Sequence, residues 1–443
     1  MLLTLLFLAI VFIIISSTRW KLHPFLSLIV AAILFGLFAG MPLDVIITSI
    51  NQGFGNTLGG VGLIIIMGVI IGAFLEHSGG ALKLAETVLK ITGEKRVPLG
   101  MSLIGYLVSI PVFADSGFML LSPLNKALSK KAKLSLSVTA IALAAGLMAS
   151  HAMVPPTPGP IAAAYELGAD LGLVIVFGFS ISLSSLLIVL TLIKPIASRI
   201  YIDPGPEQTQ EVLLTKNKEA PSAFKSFLPI IVPIIFIVGK SINDYGEYLL
   251  EGILLEIINF IGTPVIALLI GVGLSFLLPK NFDRSLLSTD GWVGKALKDA
   301  SIIIMITGAG GIFGMVLRNS GIAAEISDLL GDRRIGILLP FLISAAIKTA
   351  QGSSTVAMIT TAALISPLIT DLGLSTETAL ALSVVAIGAG SLVVSHANDS
   401  FFWVLTQMTG MSITQGYRLH SVTSGLLGVT AMTIIYILSI FLI

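Results

Sequence analysis

IPVFADSG, residues Ile110–Gly117, sets one carboxylate in the middle of apolar sequence. An apolar run from Val97 to Phe113 leads to Asp115, which stands beside Ser116 and Gly117, and a second run from Phe118 to Leu128 leads away. Each run is shorter than the roughly 20 apolar residues that a comfortable spanning helix needs. The pair therefore predicts a re-entrant hairpin over 97–128, turning at Asp115 and returning to the side it came from. The same design recurs late in the chain. Ile335–Lys348 is apolar, then come Thr349, Ala350, Gln351, Gly352, Ser353, Ser354 and Thr355, and Val356–Leu368 is apolar again. Glycine and hydroxyl residues at that depth expose backbone groups, which is tolerated only against protein or a water-filled cavity. Paired, interrupted apolar segments in corresponding halves point to the binding site of a transporter.

Working outward, the composition is that of a polytopic membrane protein. Of 443 residues, 55% are hydrophobic and 11% charged, and the mean hydropathy is +1.01. Apolar runs near spanning length recur from end to end. A formal net charge of +1, with the lysines in loops, gives no footprint for nucleic acid. Cysteine is absent, which excludes disulfides and thiolate metal sites. The chain has no Walker A motif, no dinucleotide fingerprint and no H-E-x-x-H, so no ATP motor, metal or cofactor is expected. The run Leu2–Ser16 lacks the basic residues that precede a cleaved signal, and is read as a retained first helix.

The expected spans are 2–17, 23–40, 58–76, hairpin 97–128, 136–154, 170–193, 226–240, 260–279, 298–317, hairpin 335–370, 376–396 and 420–442. Residues 43–56 and 81–92 read as interfacial amphipathic helices. The polar linker Pro195–Lys225 divides a half at 1–194 from a half at 226–443. With Arg19 and Lys21 placed inside, 20 basic residues fall inside and 4 outside (Lys240, Arg318, Arg333 and Arg334), while Lys348 lies within a hairpin. Asp244–Glu256 then forms an acidic outer loop. The first hairpin enters from inside and the second from outside.

Letters repeat as well. GAFLEHSG at Gly72–Gly79 matches GMVLRNSG at Gly314–Gly321 with an offset of 242. TGEKR at Thr92–Arg96 resembles GDRR at Gly331–Arg334 before each hairpin, and Ser150-His151-Ala152 recurs as Ser395-His396-Ala397, offset 245. The expected fold is all-α, with two inverted repeats that each hold a re-entrant hairpin and a broken helix, the architecture of secondary transporters.

Several residues are candidates for chemistry. Asp115 is a carboxylate deep in an apolar run, suited to carry a coupling proton or, structurally, to cap the second helix of its hairpin. Ser150 and His151 precede four prolines within Pro155–Pro160, where a helix cannot continue; the imidazole can bind substrate or relay a proton, or merely end the helix. Gln351, Gly352, Ser353, Ser354 and Thr355 offer amide and hydroxyl groups at the start of a helix, whose free N–H groups favour a carboxylate. Lys348 adds positive charge one turn earlier. Such a site suits a small polyhydroxylated anion, although Ser and Thr also join helices in membranes. Ser395, His396, Asn398, Asp399 and Ser400 mirror the first break, as a loop cap or as a further cavity wall. Substrate contacts are assigned to Ser116, Ser150, Lys348, Gln351, Gly352, Ser353, Ser354, Thr355 and Asn398, and ion coupling to Asp115, His151, His396 and Asp399. Asn56-Thr57 and Gly308–Gly311 carry a weaker signal, since glycines in membrane helices are commonly packing contacts.

The stretches GFGNTLGGVGLIIIMG (53–68), IPVFADSGFMLLSP (110–123), SHAMVPPTPGPIAAA (150–164), AQGSSTVA (350–357) and SHANDSFFW (395–403) resemble the gluconate permease (gluconate:proton symporter) family. The resemblance runs over nearly the whole chain. It departs at Thr157, Lys348 and Phe401, where the family pattern often has His, Arg and Gly. It implies an inner-membrane symporter for gluconate, D-serine, glycerate or a related small acid, often a homodimer with an elevator-type moving domain. The expectation is a secondary transporter that imports gluconate or a similar hydroxy-acid anion with protons across a bacterial cytoplasmic membrane, with sodium open as the coupling ion. An intramembrane hydrolase using Asp115 with Asp399, or a Ser–His pair, is the alternative from another class. The chain lacks the Gly-x-Gly-Asp and Gly-x-Ser-Gly stretches of such enzymes. A passive channel would not need two like gates.

Overall fold

The computed structural model describes residues 2–93, 96–205, 220–245, 252–322, 325 and 336–443, and every regular element among them is a helix. In chain order these are α1 (Leu2–Thr18), α2 (Pro24–Phe38), α3 (Leu43–His77), α4 (Gly80–Thr92), α5 (Val97–Val108), α6 (Ala114–Lys131), α7 (Leu136–Met153), α8 (Pro158–Leu167) and α9 (Leu171–Ala197). Then follow α10 (Ala223–Tyr245), α11 (Gly252–Ile261), α12 (Pro264–Ser275), α13 (Trp292–Asn319), α14 (Leu338–Gln351), α15 (Ser354–Ile365), α16 (Glu377–Gly390), α17 (Ser400–Thr409) and α18 (Val422–Leu442). Helix α18 continues from Ile413 through a π-helical turn at Tyr417–Ser421. Among the described residues six helices are long and apolar enough to cross a membrane, or seven if α11 and α12, bent by 70°, form one span. The GDRR stretch, much of the polar linker (206–219) and residues 246–251 of the acidic loop lie outside the described residues.

Helices α7 and α16 form the centre. All of α7 except His151 is buried, as is α16 from Ala379 to Gly390. Both are apolar all round, the pattern of a helix enclosed on every side. Small residues let neighbours approach closely. A Cβ on Gly146 of α7 would stand 1.9 Å from Ser102 O of α5, and one on Gly390 of α16 would stand 2.3 Å from Phe341 O of α14.

Two helix–turn–helix units flank these centres. Pro98 and Leu99 at the start of α5 lie by Val138 and Ala142 of α7, so α5 runs parallel to α7. Helix α6 runs against it, with Gly117 near Leu147 and Ser129 Oγ bonded to Thr139 Oγ1. Helices α5 and α6 are therefore antiparallel about a tip at Ser109–Phe113, where Ser109 donates to Val112 O (3.0 Å). In the second unit α14 runs beside α16, with Ser344 donating to Ile387 O (2.7 Å), and α15 returns after only Gly352 and Ser353.

Three boundaries differ from the sequence reading. Residues 43–56 and 58–76 are one continuous 35-residue helix, not an interfacial helix followed by a span. No proline interrupts it, and Ser49 and Thr57 along it are buried, with Asn319 of α13 donating to Ser49 Oγ (2.8 Å). Helices α3 and α13 pack antiparallel at glycines, where a Cβ on Gly53 would stand 2.4 Å from Gly311 O. The span expected at 376–396 ends at Gly390; Ser391–Asp399 is non-helical, with Val394 at φ +53°. The 260–279 span is the short α12, joined to α11 across a sharp bend. Helix α4 forms where an amphipathic helix was expected, with Leu82 and Ala85 buried and Lys83 paired to Glu86 at 2.9 Å.

Candidate functional site

The two tips and the two Ser-His breaks converge on one cavity of about 330 Å³, at the small end of the range for small-molecule sites. Its walls include Ala114 and Asp115 from the first tip, Met148 and His151 from the end of α7, Lys348 and Gln351–Thr355 from the second tip, and Ser395 and Asn398–Phe401. Residues almost three hundred positions apart meet directly: Ser400 Oγ donates to Asp115 Oδ2 at 2.9 Å. Phe113 packs on His151 with ring centroids 6.0 Å apart, and Phe118 on Phe401 at 5.8 Å.

Helices α6, α15 and α17 all begin at this cavity. Each helix start carries free N–H groups and partial positive charge. Ser353 caps α15 by accepting from Val356 N (3.3 Å), and Asp399 caps α17 by accepting from Phe401 N (3.0 Å). Gly352 has φ +89°, and a Cβ there would stand 2.1 Å from Asn398 O. Only glycine fits the turn on both counts. The Asn398 side chain ties the tip down by donating to Thr349 O (2.9 Å) and Ala350 O (3.1 Å).

Charge is distributed unevenly. Lys348 is 1% exposed and pairs with Asp399 at 2.6 Å, while its ammonium also donates to Gly352 O. The sequence reading gave Lys348 to a substrate carboxylate; the structure gives that charge an internal partner. Asp399 further accepts from Ser395 Oγ, which lies 2.9 Å from His420 Nε2. His420 was not read from sequence. It is fully buried in the π-helical turn, and a lone His at the edge of a spanning apolar run is the signal that could have marked it. Of the two carboxylates on the cavity wall, Asp399 is thus neutralised, and Asp115 has, among the described residues, a single hydroxyl donor.

Other polar atoms lack protein partners. Both side-chain polar atoms of Gln351 and Nδ1 of His151 are buried without a hydrogen bond among the described residues. Buried polar groups are ordinarily bonded, so such atoms on a cavity wall mark where a ligand or water completes the set.

Three expected site residues stand back from the cavity. Ser116 follows Asp115 by about 100° of helix turn and is not on the wall. Ser150 is buried and donates to Gly146 O (3.4 Å). His396 lies 2.7 Å from Thr349 O and braces the second tip from behind. No group of three or more His, Cys, Asp or Glu suited to a metal occurs among the described residues.

Against known proteins, the description "GntP family permease" matches residues 1–441. A relative named gluconate permease, from Pseudomonas aeruginosa, is 35% identical, and the match covers 97% of this chain and 95% of that one. The D-serine transporter DsdX of Escherichia coli is 30% identical over 98% of this chain and 97% of its own. Among solved structures, the YdaH transporter of Alcanivorax borkumensis superposes with a TM-score of 0.59, covering 90% of this chain and 89% of that one at 14% identity, which is a likeness of fold. These relatives are permeases and not enzymes, which sets the hydrolase alternative aside. With its apolar helices and its motifs matched from end to end, the chain is a multi-pass membrane transport protein and belongs to the GntP family of permeases.

Proposed function

We propose that this permease imports a small hydroxy-acid anion, most simply gluconate, together with protons across the cytoplasmic membrane of a bacterium. The observation that carries the reading is the meeting of three helix N-termini around a cavity in which Asp115 is the one unneutralised carboxylate. The N-termini favour an anion, and Gln351, Ser353, Ser354, Thr355 and Asn398 supply donors and acceptors for hydroxyls. Asp115 supplies the coupling. Two negative charges on the order of 5 Å apart at an effective dielectric of about 20 repel by about 3 kcal/mol. The substrate anion is therefore admitted with Asp115 protonated, and each is carried with the other. His151, on the same wall, is the group placed to pass the proton on.

The proposal includes an inverted repeat. Helix α3 corresponds to α13, and α5 to α8 correspond to α14 to α17, and the two hairpins are re-entrant from opposite faces. The hairpins and breaks move as an elevator-type unit against α3 and α13, in a homodimer. An equivalent reading of the same cavity with D-serine as substrate is favoured by the relative named for D-serine transport, and glycerate is a further small hydroxy acid to be tested beside it. Uptake of labelled gluconate into proteoliposomes under an inward proton gradient, competed by D-serine, glycerate and other aldonates, tests both. Gradient-driven accumulation that only aldonates compete supports gluconate. Competition by D-serine or glycerate moves the substrate and keeps the mechanism. Accumulation driven by sodium alone removes the proton, and no gradient-dependent uptake at all removes the reading.

A further inference from the structure

A second polar cavity, about 340 Å³, lies away from the two tips, between α3, α8, α13 and the end of α15. Its walls include Asn56 and Thr57 of α3, Tyr165 and Glu166 of α8, Arg318 of α13, and Ser366. These are the polar and charged residues of the region that the central cavity does not use. The ring of Tyr165 fills the gap left by Gly60, where a Cβ would stand 1.9 Å from the ring, and its hydroxyl donates to Asn56 O (2.7 Å). Arg318 Nη2 donates to Ser366 Oγ at 2.8 Å, and Ser366 Oγ in turn donates to Glu166 O (2.8 Å). Arg318 and Glu166 both line the cavity and attract one another across it, and among the described residues no direct ion pair joins them. Among the described residues the guanidinium has that one hydrogen bond, and the Glu166 carboxylate has none.

The two cavities differ in what their cation is free to do. Lys348 is held by Asp399 and Gly352 O. Arg318 keeps most of its five donors in the planar fork that matches a carboxylate in two parallel hydrogen bonds. A carboxylate such as Glu166 accepts from hydroxyls through both oxygens. A guanidinium and an acceptor carboxylate lining one cavity, with Glu166 Oε1 lying against Gly314 a turn before Arg318, suit an acid that carries hydroxyls along its chain: its carboxylate on Arg318, its hydroxyls donating to Glu166.

We propose that this second cavity is a vestibular binding site for a polyhydroxylated carboxylic acid, with Arg318 as its anchor. The inference rests on the transport reading above and adds a second place where the substrate is held. It also gives a role to Arg318, in the last turn of α13 at the end that the charge rule assigns to the outside, where basic residues are few. Tyr165 and the Arg318–Ser366 bond cross from α8 and the α15 end to α3 and α13, so occupancy of the site bears on the contact between these pairs.

The chain has no cysteine of its own, so a single introduced thiol reports one place. Met315 lines the second cavity and Met148 the central one. Met315→Cys and Met148→Cys are labelled separately with a neutral maleimide in proteoliposomes, with and without gluconate, glycerate or D-serine. Gluconate at about ten times its dissociation constant is expected to slow labelling about tenfold at both positions. Adding Arg318→Gln is expected to abolish protection at position 315 and to keep it at position 148, with Arg318→Lys intermediate. Protection at 315 that survives Arg318→Gln overturns the anchor. Protection at 148 alone overturns the second site and leaves the transport reading standing. Protection at neither position by any of the three acids removes the transport reading and this inference with it.

Discussion

The two halves present the same device, a helix–turn–helix tip facing a broken helix, with opposite electrostatic finish. In the second half the charges on the cavity wall are paired in one chain of contacts: Lys348 with Asp399, Asp399 with Ser395, and Ser395 with Nε2 of His420. In the first half the carboxylate is left open: Asp115 has one hydroxyl donor among the described residues and no cation paired to it. The difference teaches a division of labour. Under the transport reading proposed above, the closed network fixes geometry and the open carboxylate is the group whose charge changes as the site fills.

The closed half is where substitution does most damage. Lys348→Ala or Asp399→Ala leaves a buried charge without its partner, at a cost of about 3–5 kcal/mol. Thermal unfolding of the purified protein is expected to show this as a large loss, partly restored by replacing both residues with apolar ones. Equal melting of the single and double variants would place the two charges apart.

The open half is expected to tolerate change in stability and lose coupling. Asp115→Asn removes a repulsion of about 3 kcal/mol, about a hundredfold in affinity. Wild-type affinity is expected to fall as pH rises, because a charged Asp115 opposes the anion. The variant's affinity is expected to be flat with pH, with substrate exchange retained and proton-driven accumulation lost. Proton-driven accumulation that persists in Asp115→Asn would take the coupling role from this residue.

Two smaller effects sharpen the contrast. Gly352→Ala forces a left-handed backbone, about 1–2 kcal/mol, and drives a Cβ into Asn398 O. Substrate binding is expected to weaken about tenfold, against near-neutral Gly55→Ala, where a Cβ meets nothing within 4 Å. Ser395→Ala removes the hydroxyl between Asp399 and His420, worth about 1 kcal/mol. It is expected to lower the melting temperature by a few degrees with the substrate profile unchanged.

Much of the site was legible because polar residues in apolar sequence have few innocent reasons to be there. Asp115, His151, Lys348, Gln351–Thr355, Asn398 and Asp399 all line the cavity. What sequence did not reveal was pairing. Lys348 and Asp399 are 51 positions apart, and no periodicity links a tip to a break. The reading of residues 43–56 as interfacial failed for a related reason. Ser49, Asn56 and Thr57 look like residues for the headgroup region, but they face α13 and the second cavity. His420 is silent in a hydropathy reading because one imidazole barely alters a run of apolar residues.

The length of α3 has a consequence for the lipid. At 1.5 Å per residue its 35 residues extend about 52 Å, and the 28 residues of α13 about 42 Å, against a hydrocarbon core of about 30 Å. The pair is locked at Gly53 and Gly311, so the two helices lean together. Helices longer than the bilayer meet it by tilting or by thickening it locally. The inclination of the α3–α13 strut, and with it the height at which α8 and α15 are held, is thereby set in part by the acyl-chain length of the surrounding membrane.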